Sequence, residues 1–255
     1  MSEAFASAGA PIEQGRAQGE ALRGEIRGEL ARLRGSLGWL ARRALVRHVA
    51  GTGARALATQ LPWQRERIEG IARAAHVGES LLLLGESLTR VEAAAFADGA
   101  QLAAVFEPPD LHARLRVRAS APDAGGFASV EVVLAPLTGC LAGVNAEGLA
   151  AVCLRDRARD ELSLRFLAQE LLFRARDLAA GVDHLRRRAS YAGGTGALLV
   201  ADASGTAHVL HFERGALALA DPALPARAHA PHVVLDLPGR RLRLGASDEW
   251  HAAAR

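Results

Sequence analysis

The 255 residues contain no lysine at all and a single tyrosine, and aromatic side chains make up only 4% of them. A core must therefore be assembled from leucine, valine and alanine. The missing lysines also explain a misleading number. With arginine as the strong cation, the calculated pI of 9.6 falls in the gap between carboxylate and arginine titration, while the net charge is only +3. That balance gives no clustered basic face with aromatics between, so no nucleic-acid partner is expected.

Cysteine is equally scarce. Cys140 and Cys153 stand alone, outside any CxxC arrangement, which excludes a disulfide framework and a thiolate metal site. No metal or cofactor is expected. Long hydrophobic runs are missing too: no apolar stretch is long enough to span a bilayer. The start, Met1-Ser2-Glu3, lacks the charged-then-apolar pattern of a signal peptide, so a cytoplasmic protein with no membrane partner is expected.

What is present is apolar: 50% of the residues are hydrophobic, enough for a substantial core. Leu22, Ile26, Leu30, Leu33, Leu37 and Leu40 recur at spacings of four and three, which predicts helix over about 12–50. Gly24, Gly28, Gly35 and Gly38 interrupt it, and close backbone packing is the expected reason. Two shorter helices follow at 63–75 and 78–90. Strand patterns then begin. Two short runs flank Asp98-Gly99, a hairpin signal. Arg114 to Arg118 alternates apolar residues with arginine, as a half-buried strand does, and Ser129 to Leu134 and Leu149 to Leu154 read as further strands. Helical spacing returns over 162–178 and 180–188, where Arg186 to Arg188 suit a solvated helix end. Ala197 to Ala201, Thr206 to Phe212, Val233 to Leu237 and Arg240 to Leu244 close the chain as strands. This order suits an α+β fold with helices packed outside stacked sheets.

Several stretches together resemble one family. Gly9-Ala10-Pro11-Ile12-Glu13-Gln14-Gly15-Arg16-Ala17-Gln18-Gly19, followed by Ile26, is similar to the glycine-rich opening of the acyl-CoA:6-aminopenicillanic acid acyltransferases, also called C45 peptidases. Glu69-Gly70-Ile71-Ala72 with Leu81 to Leu84 and Glu86 resembles that family's helix pair. Leu141-Ala142-Gly143-Val144-Asn145-Ala146-Glu147-Gly148-Leu149 resembles its glycine–hydrophobic–asparagine–glutamate segment. Ala201 to Gly205 and His211-Phe212-Glu213 are similar to its last sheet, so the likeness runs over about residues 9–220. The resemblance implies a four-layer αββα sandwich of the N-terminal-nucleophile (Ntn) hydrolase kind. Residues 1–91 would be a helical segment and 92–255 the sandwich core, together one integrated unit.

In that family the chain cuts itself before a cysteine. The new terminus then supplies a thiol nucleophile and an α-amino base, whose reference pKa of about 7.7–8.0 suits proton transfer near neutrality. The resemblance places the nucleophile at Ala93, with Ala94 as the nearest alternative, and alanine cannot attack an amide. The family's arginine–asparagine–x–aspartate group falls on Ala104, Val105, Phe106 and Glu107, so only a carboxylate survives. The polar residue expected before the late strand is matched by Thr195. Asn145 remains in place, read either as an oxyanion or substrate contact or as a turn residue.

Cys140, after Thr138-Gly139, is the outside candidate for a relocated nucleophile, although a buried inert thiol is the commoner outcome. His208 and His211 are three apart on a strand and face opposite sides, and His229 and His232 have no carboxylate pattern nearby. The expectation is a pseudoenzyme of the C45 amide-hydrolase and acyltransferase family, retaining a pocket for a small acylated or amide ligand. A working linear-amide hydrolase or acyltransferase using Cys140 is one alternative, and a structural or assembly protein without ligand is the other.

Overall fold

The computed structural model describes residues 4–36, 54–98, 101–107, 114–156, 162–192, 195–213, 216–220, 232–236 and 241–245. The fold is mixed α+β. The first segment is not all helix: it opens with strand β1 (Ala4–Gly9), followed by α1 (Pro11–Ala21) and α2 (Arg23–Ser36). The long helix expected over 12–50 is broken at Leu22, whose N–H still bonds back to the Gln18 carbonyl. Residues 37–50 of that expectation lie outside the described residues. Helical turns at 54–60 lead into α3 (Pro62–Ala75) and α4 (Glu79–Leu88), close to the two helices expected there. Helix α3 ends at His76 in the left-handed conformation, which turns its N–H onto the Ala72 and Arg73 carbonyls.

Strands β2 (Glu92–Asp98) and β3 (Gln101–Glu107) form the expected hairpin, with Asp98 opposite Gln101. The series continues as β4 (Leu115–Pro122), β5 (Ser129–Leu134), β6 (Ala142–Asn145) and β7 (Ala150–Asp156). Helices α5 (Leu164–Arg174) and α6 (Leu178–Ala192) are followed by β8 (Gly196–Ala201), β9 (Ala207–Glu213) and β10 (Ala216–Ala220), and then by β11 (His232–Asp236) and β12 (Arg241–Gly245). Helix α6 outruns the 180–188 expected, so Arg188 lies inside it, where its guanidinium donates to the Gln60 carbonyl.

The sheet runs β1-β4-β5-β6-β7 and continues from β7 through β8 and β9 to β10. All of its pairings are antiparallel except β1 on β4. Past Val152, where β6 has ended, Glu92 of β2 pairs with Arg155 of β7, next to the bulge at Cys153/Arg155. There the sheet branches into an arm, β2-β3-β11-β12, antiparallel throughout.

Alternation decides what each face meets. Val133, Ala151, Cys153, Leu198, Val200, Leu210 and Phe212 point to the helices and share a core with Ile26, Ile68, Ile71, Leu82, Leu167 and Leu171. Their neighbours Val132, Leu134, Ala150, Val152, Leu199 and Ala201 point the other way and pack with Leu102, Ala104 and Phe106 of β3. The described residues thus form a helical layer, the main sheet, and the arm folded over its far face. Residues on both sides of position 92 build the helix-side core, and β1 is paired along its length to β4.

Candidate functional site

The place to look for chemistry is the head of β2, where the arm leaves the main sheet. Ala93 sits there opposite Phe106, half-buried, and packs with Ala95 against the inter-sheet core. Ala104, at the position expected to carry an arginine, and Phe106, at that group's unspecified position, are buried in the same apolar layer at 2% and 0% exposure. Glu107 stands in register with Glu92. Thr195 is exposed, one residue ahead of β8. Where the nucleophile and the organising arginine would stand, the described side chains are the methyl groups of Ala93 and Ala104.

Neither thiol reaches this layer. Cys140 and Cys153 belong to the helix-side core, on the opposite face of the main sheet, at 0% and 2% exposure. Burial, with the Glu131 carboxylate near, holds the Cys140 thiol well above its ordinary pKa, and burial with Asp156 does the same to Cys153. A thiolate is the reactive form, so both are inert as folded. The idea of Cys140 as a relocated nucleophile meets a buried, protonated sulfur.

Asn145 is spent on structure. Its amide N–H groups donate to the carbonyls of Leu172 (3.0 Å) and Ala175 (2.7 Å). Its side-chain oxygen accepts from the N–H groups of Glu147 (3.1 Å) and Leu149 (3.0 Å). Both donors are used, so no N–H is left for an oxyanion. The residue ties the β6–β7 turn to the end of α5. Gly148 completes that turn at φ +83.

The unusual chemistry lies elsewhere, between helices and main sheet. Among the largest fully buried side chains are three arginines: Arg67, Arg118 and Arg165. The alternation of Arg114 to Arg118 does not mean a solvated face, because Arg118 is 0% exposed. Its guanidinium donates to Glu131 on the neighbouring strand and to the side-chain oxygen of Gln18 on α1. Arg67 of α3 donates to the same Gln18 oxygen at 3.1 Å. Glu131 also accepts from Ser129 (2.7 Å) and Gln169 (2.9 Å). Burial alone would raise the Glu131 carboxyl, but Arg118, then Arg67 and the hydrogen bonds, bring it below the ordinary range.

A second cluster centres on Arg165, at the start of α5. It bonds Glu86 of α4 at 2.6 Å, lies 3.4 Å from Asp156 of β7, and donates to the carbonyls of Glu86 and Thr89. Glu86 accepts from the Thr138 N–H (2.7 Å) and from Ser163 (3.1 Å). Burial raises its carboxyl, and Arg165 followed by these donors more than reverses that. The Arg165 guanidinium is itself held above its usual range, because Glu86 and Asp156 outweigh its desolvation. Between the clusters the Leu137–Cys140 segment is gripped from both sides, since Gln18 donates to the Leu137 carbonyl at 3.3 Å.

In the sequence Glu86 stands out only as part of a family-like motif, and Arg118 only as the end of a half-buried strand pattern. The available signal was a lone charge inside an apolar run: Glu131 between Val130 and Val132, Glu86 after four leucines and a glycine, Arg165 within Leu162 to Leu167. A fourth buried carboxylate, Glu170, accepts from the Trp63 indole N–H and lies 3.2 Å from His184 and 3.4 Å from Arg174. Among the described residues no group of three or more His, Cys, Asp or Glu side chains could hold a metal ion, and no helix is long and apolar enough to cross a membrane. No protein-family model matches this sequence, and no curated protein matches it significantly.

Proposed function

We propose that this chain is a non-catalytic relative of the C45 penicillin-acyltransferase-like Ntn hydrolases, keeping their αββα scaffold without its reactive centre. The observation that carries the reading is the exchange of polarity at the head of β2. By the resemblance Ala93 takes the nucleophile's place and Ala104 that of the organising arginine, both in an apolar layer with Phe106, and both sulfurs lie on the far side of the main sheet. Covalent acyl transfer needs a nucleophile and a base within reach of one carbonyl, and the described side chains of this layer offer neither. The apolar lining suits the acyl chain of a small acylated or amide-bearing molecule, held without being cleaved.

The test is the mass of the denatured chain after expression, joined to a binding series. A single uncut chain is expected, with no turnover of acyl-CoAs or acylated amines and with thermal stabilisation by the longer acyl chains. A chain cut near residue 92, or acyl label found on Cys140, would defeat the non-catalytic reading. No thermal response across the acyl series would reduce the role to that of a scaffold without ligand.

A further inference from the structure

The Arg67–Arg118 cluster has more donors than it can use. Both guanidiniums converge on one neutral acceptor, the Gln18 oxygen, and the single carboxylate, Glu131, is taken up by Arg118, Gln169 and Ser129. Among the described residues no carboxylate approaches the Arg67 guanidinium closely enough to pair with it, although that side chain is only 1% exposed. Among the described residues the Nε–H groups of Arg67 and Arg118, both amide atoms of Gln64, the amide oxygen of Gln169 and the hydroxyl of Ser120 are buried without a hydrogen-bond partner. Gln64 lies one turn before Arg67 on α3, and Ser120 shares the helix-side face of β4 with Arg118. Burial and the neighbouring Arg118 charge hold the Arg67 guanidinium down to about 9.

Unmet buried donors are costly, and a buried cation without a counter-charge costs more. The unpartnered atoms include amide oxygens as well as donors, but the charge is one-sided: two guanidiniums face one carboxylate. A water molecule brings as many hydrogens as lone pairs and would leave the charge unbalanced, whereas an anion only accepts. The Cys140 thiol cannot serve, because it is held protonated. The excess negative charge of the Arg165 cluster lies across the Leu137–Cys140 segment, where Glu86 is engaged by Arg165, Thr138 and Ser163.

We infer that the interior between α1, α3 and β4 is a binding site for one halide-sized monovalent anion, held by Arg67 and Arg118 and sealed in by folding. The site is separate from the inter-sheet layer and independent of any acyl ligand. An ion bound only by the folded chain stabilises it in proportion to the logarithm of its concentration once above the dissociation constant.

The full chain is melted at fixed ionic strength while sodium gluconate is replaced by sodium chloride, and crystals grown in sodium bromide are measured at the bromine absorption edge. The expected result is a midpoint that climbs by several degrees with chloride, a dependence lost in Arg67→Gln, and an anomalous bromide peak within hydrogen-bond distance of the Arg67 and Arg118 Nε atoms. Should Arg67→Gln fail to fold, the wild-type bromide map decides alone. A midpoint indifferent to chloride, or a bromide map with no peak in the cluster, overturns the inference.

Discussion

Gly15 of α1 and Arg67 of α3 meet backbone to backbone, so closely that a methyl group at Gly15 would land on the Arg67 carbonyl oxygen. Gly19 against Ile71 and Gly70 against Ile12 repeat the contact along the same pair of helices. The crossing brings Gln18 under the Arg67 guanidinium. Gly15→Ala should therefore destabilise the fold by about 1–3 kcal/mol or more, the usual cost of overpacking. Gly28 of α2 is the contrast: among the described residues a Cβ there would meet nothing within 4 Å. Gly28→Ala should stabilise by about 0.5–1 kcal/mol through helix propensity alone. Urea unfolding of both variants, with unchanged slope, checks the pair.

Glu86 and Glu131 both titrate below the ordinary carboxylate range in the folded chain. A carboxyl with a depressed folded pKa contributes stability that is complete above its unfolded value, about 4.3, and is lost as pH falls through the folded one. Stability should hold from neutrality down to about pH 5 and then decline steeply. Glu131→Gln should lower stability at neutral pH while flattening that acid decline. Unfolding midpoints measured across the acid range read both effects, and an unchanged slope would refute the assignment.

Arg165 serves Glu86 and Asp156 together. Replacing it by methionine strands two buried carboxylates and should cost about 3–5 kcal/mol, whereas Arg165→Lys keeps a charge but loses the fork that reaches both and should fall between. If calorimetry shows the methionine variant as stable as the parent, the cluster is not holding α4 to α5.

Asn145→Asp separates turn chemistry from pocket chemistry. Aspartate keeps the acceptor used by Glu147 and Leu149 but loses both donors and turns a carboxylate onto the Leu172 and Ala175 carbonyls. It should cost at least as much stability as Asn145→Ala, about 1–3 kcal/mol. Thermal midpoints of the two variants make the comparison.

Both thiols should resist a disulfide reagent such as dithionitrobenzoate in native buffer and react together once urea unfolds the chain, because each is buried and held protonated. Rapid labelling of Cys140 alone would contradict its place in the helix-side core.

The longer elements were legible because their patterns repeat. Helices α3 and α4, the β2–β3 hairpin, and strands β8 and β9 around the Asp202 turn fall within a few residues of their expected bounds. Strand β1 was not, because Ala4–Gly9 is a small-residue segment that becomes a strand only by pairing with β4, more than a hundred residues away. Strand β6 escaped for a similar reason, being four residues long. Close packing was expected of other glycines: among the described residues nothing lies within 4 Å of a Cβ at Gly24, Gly28 or Gly35, while Gly15, Gly19 and Gly70 make the close approach. Arg118 was misjudged because alternation fixes which side chains share a face but not what covers that face. Its burial depends on Glu131 and Gln18, and the register that unites them is a property of the folded chain.

The parallel pairing of β1 with β4 has a practical consequence. A nick at residue 92 would sever the polypeptide but not the particle, for the upstream piece would stay zipped into the sheet and packed under its helices. Gel filtration would return one peak whether or not the backbone had been cut. Only a denaturing separation could tell a silent scaffold from a matured enzyme.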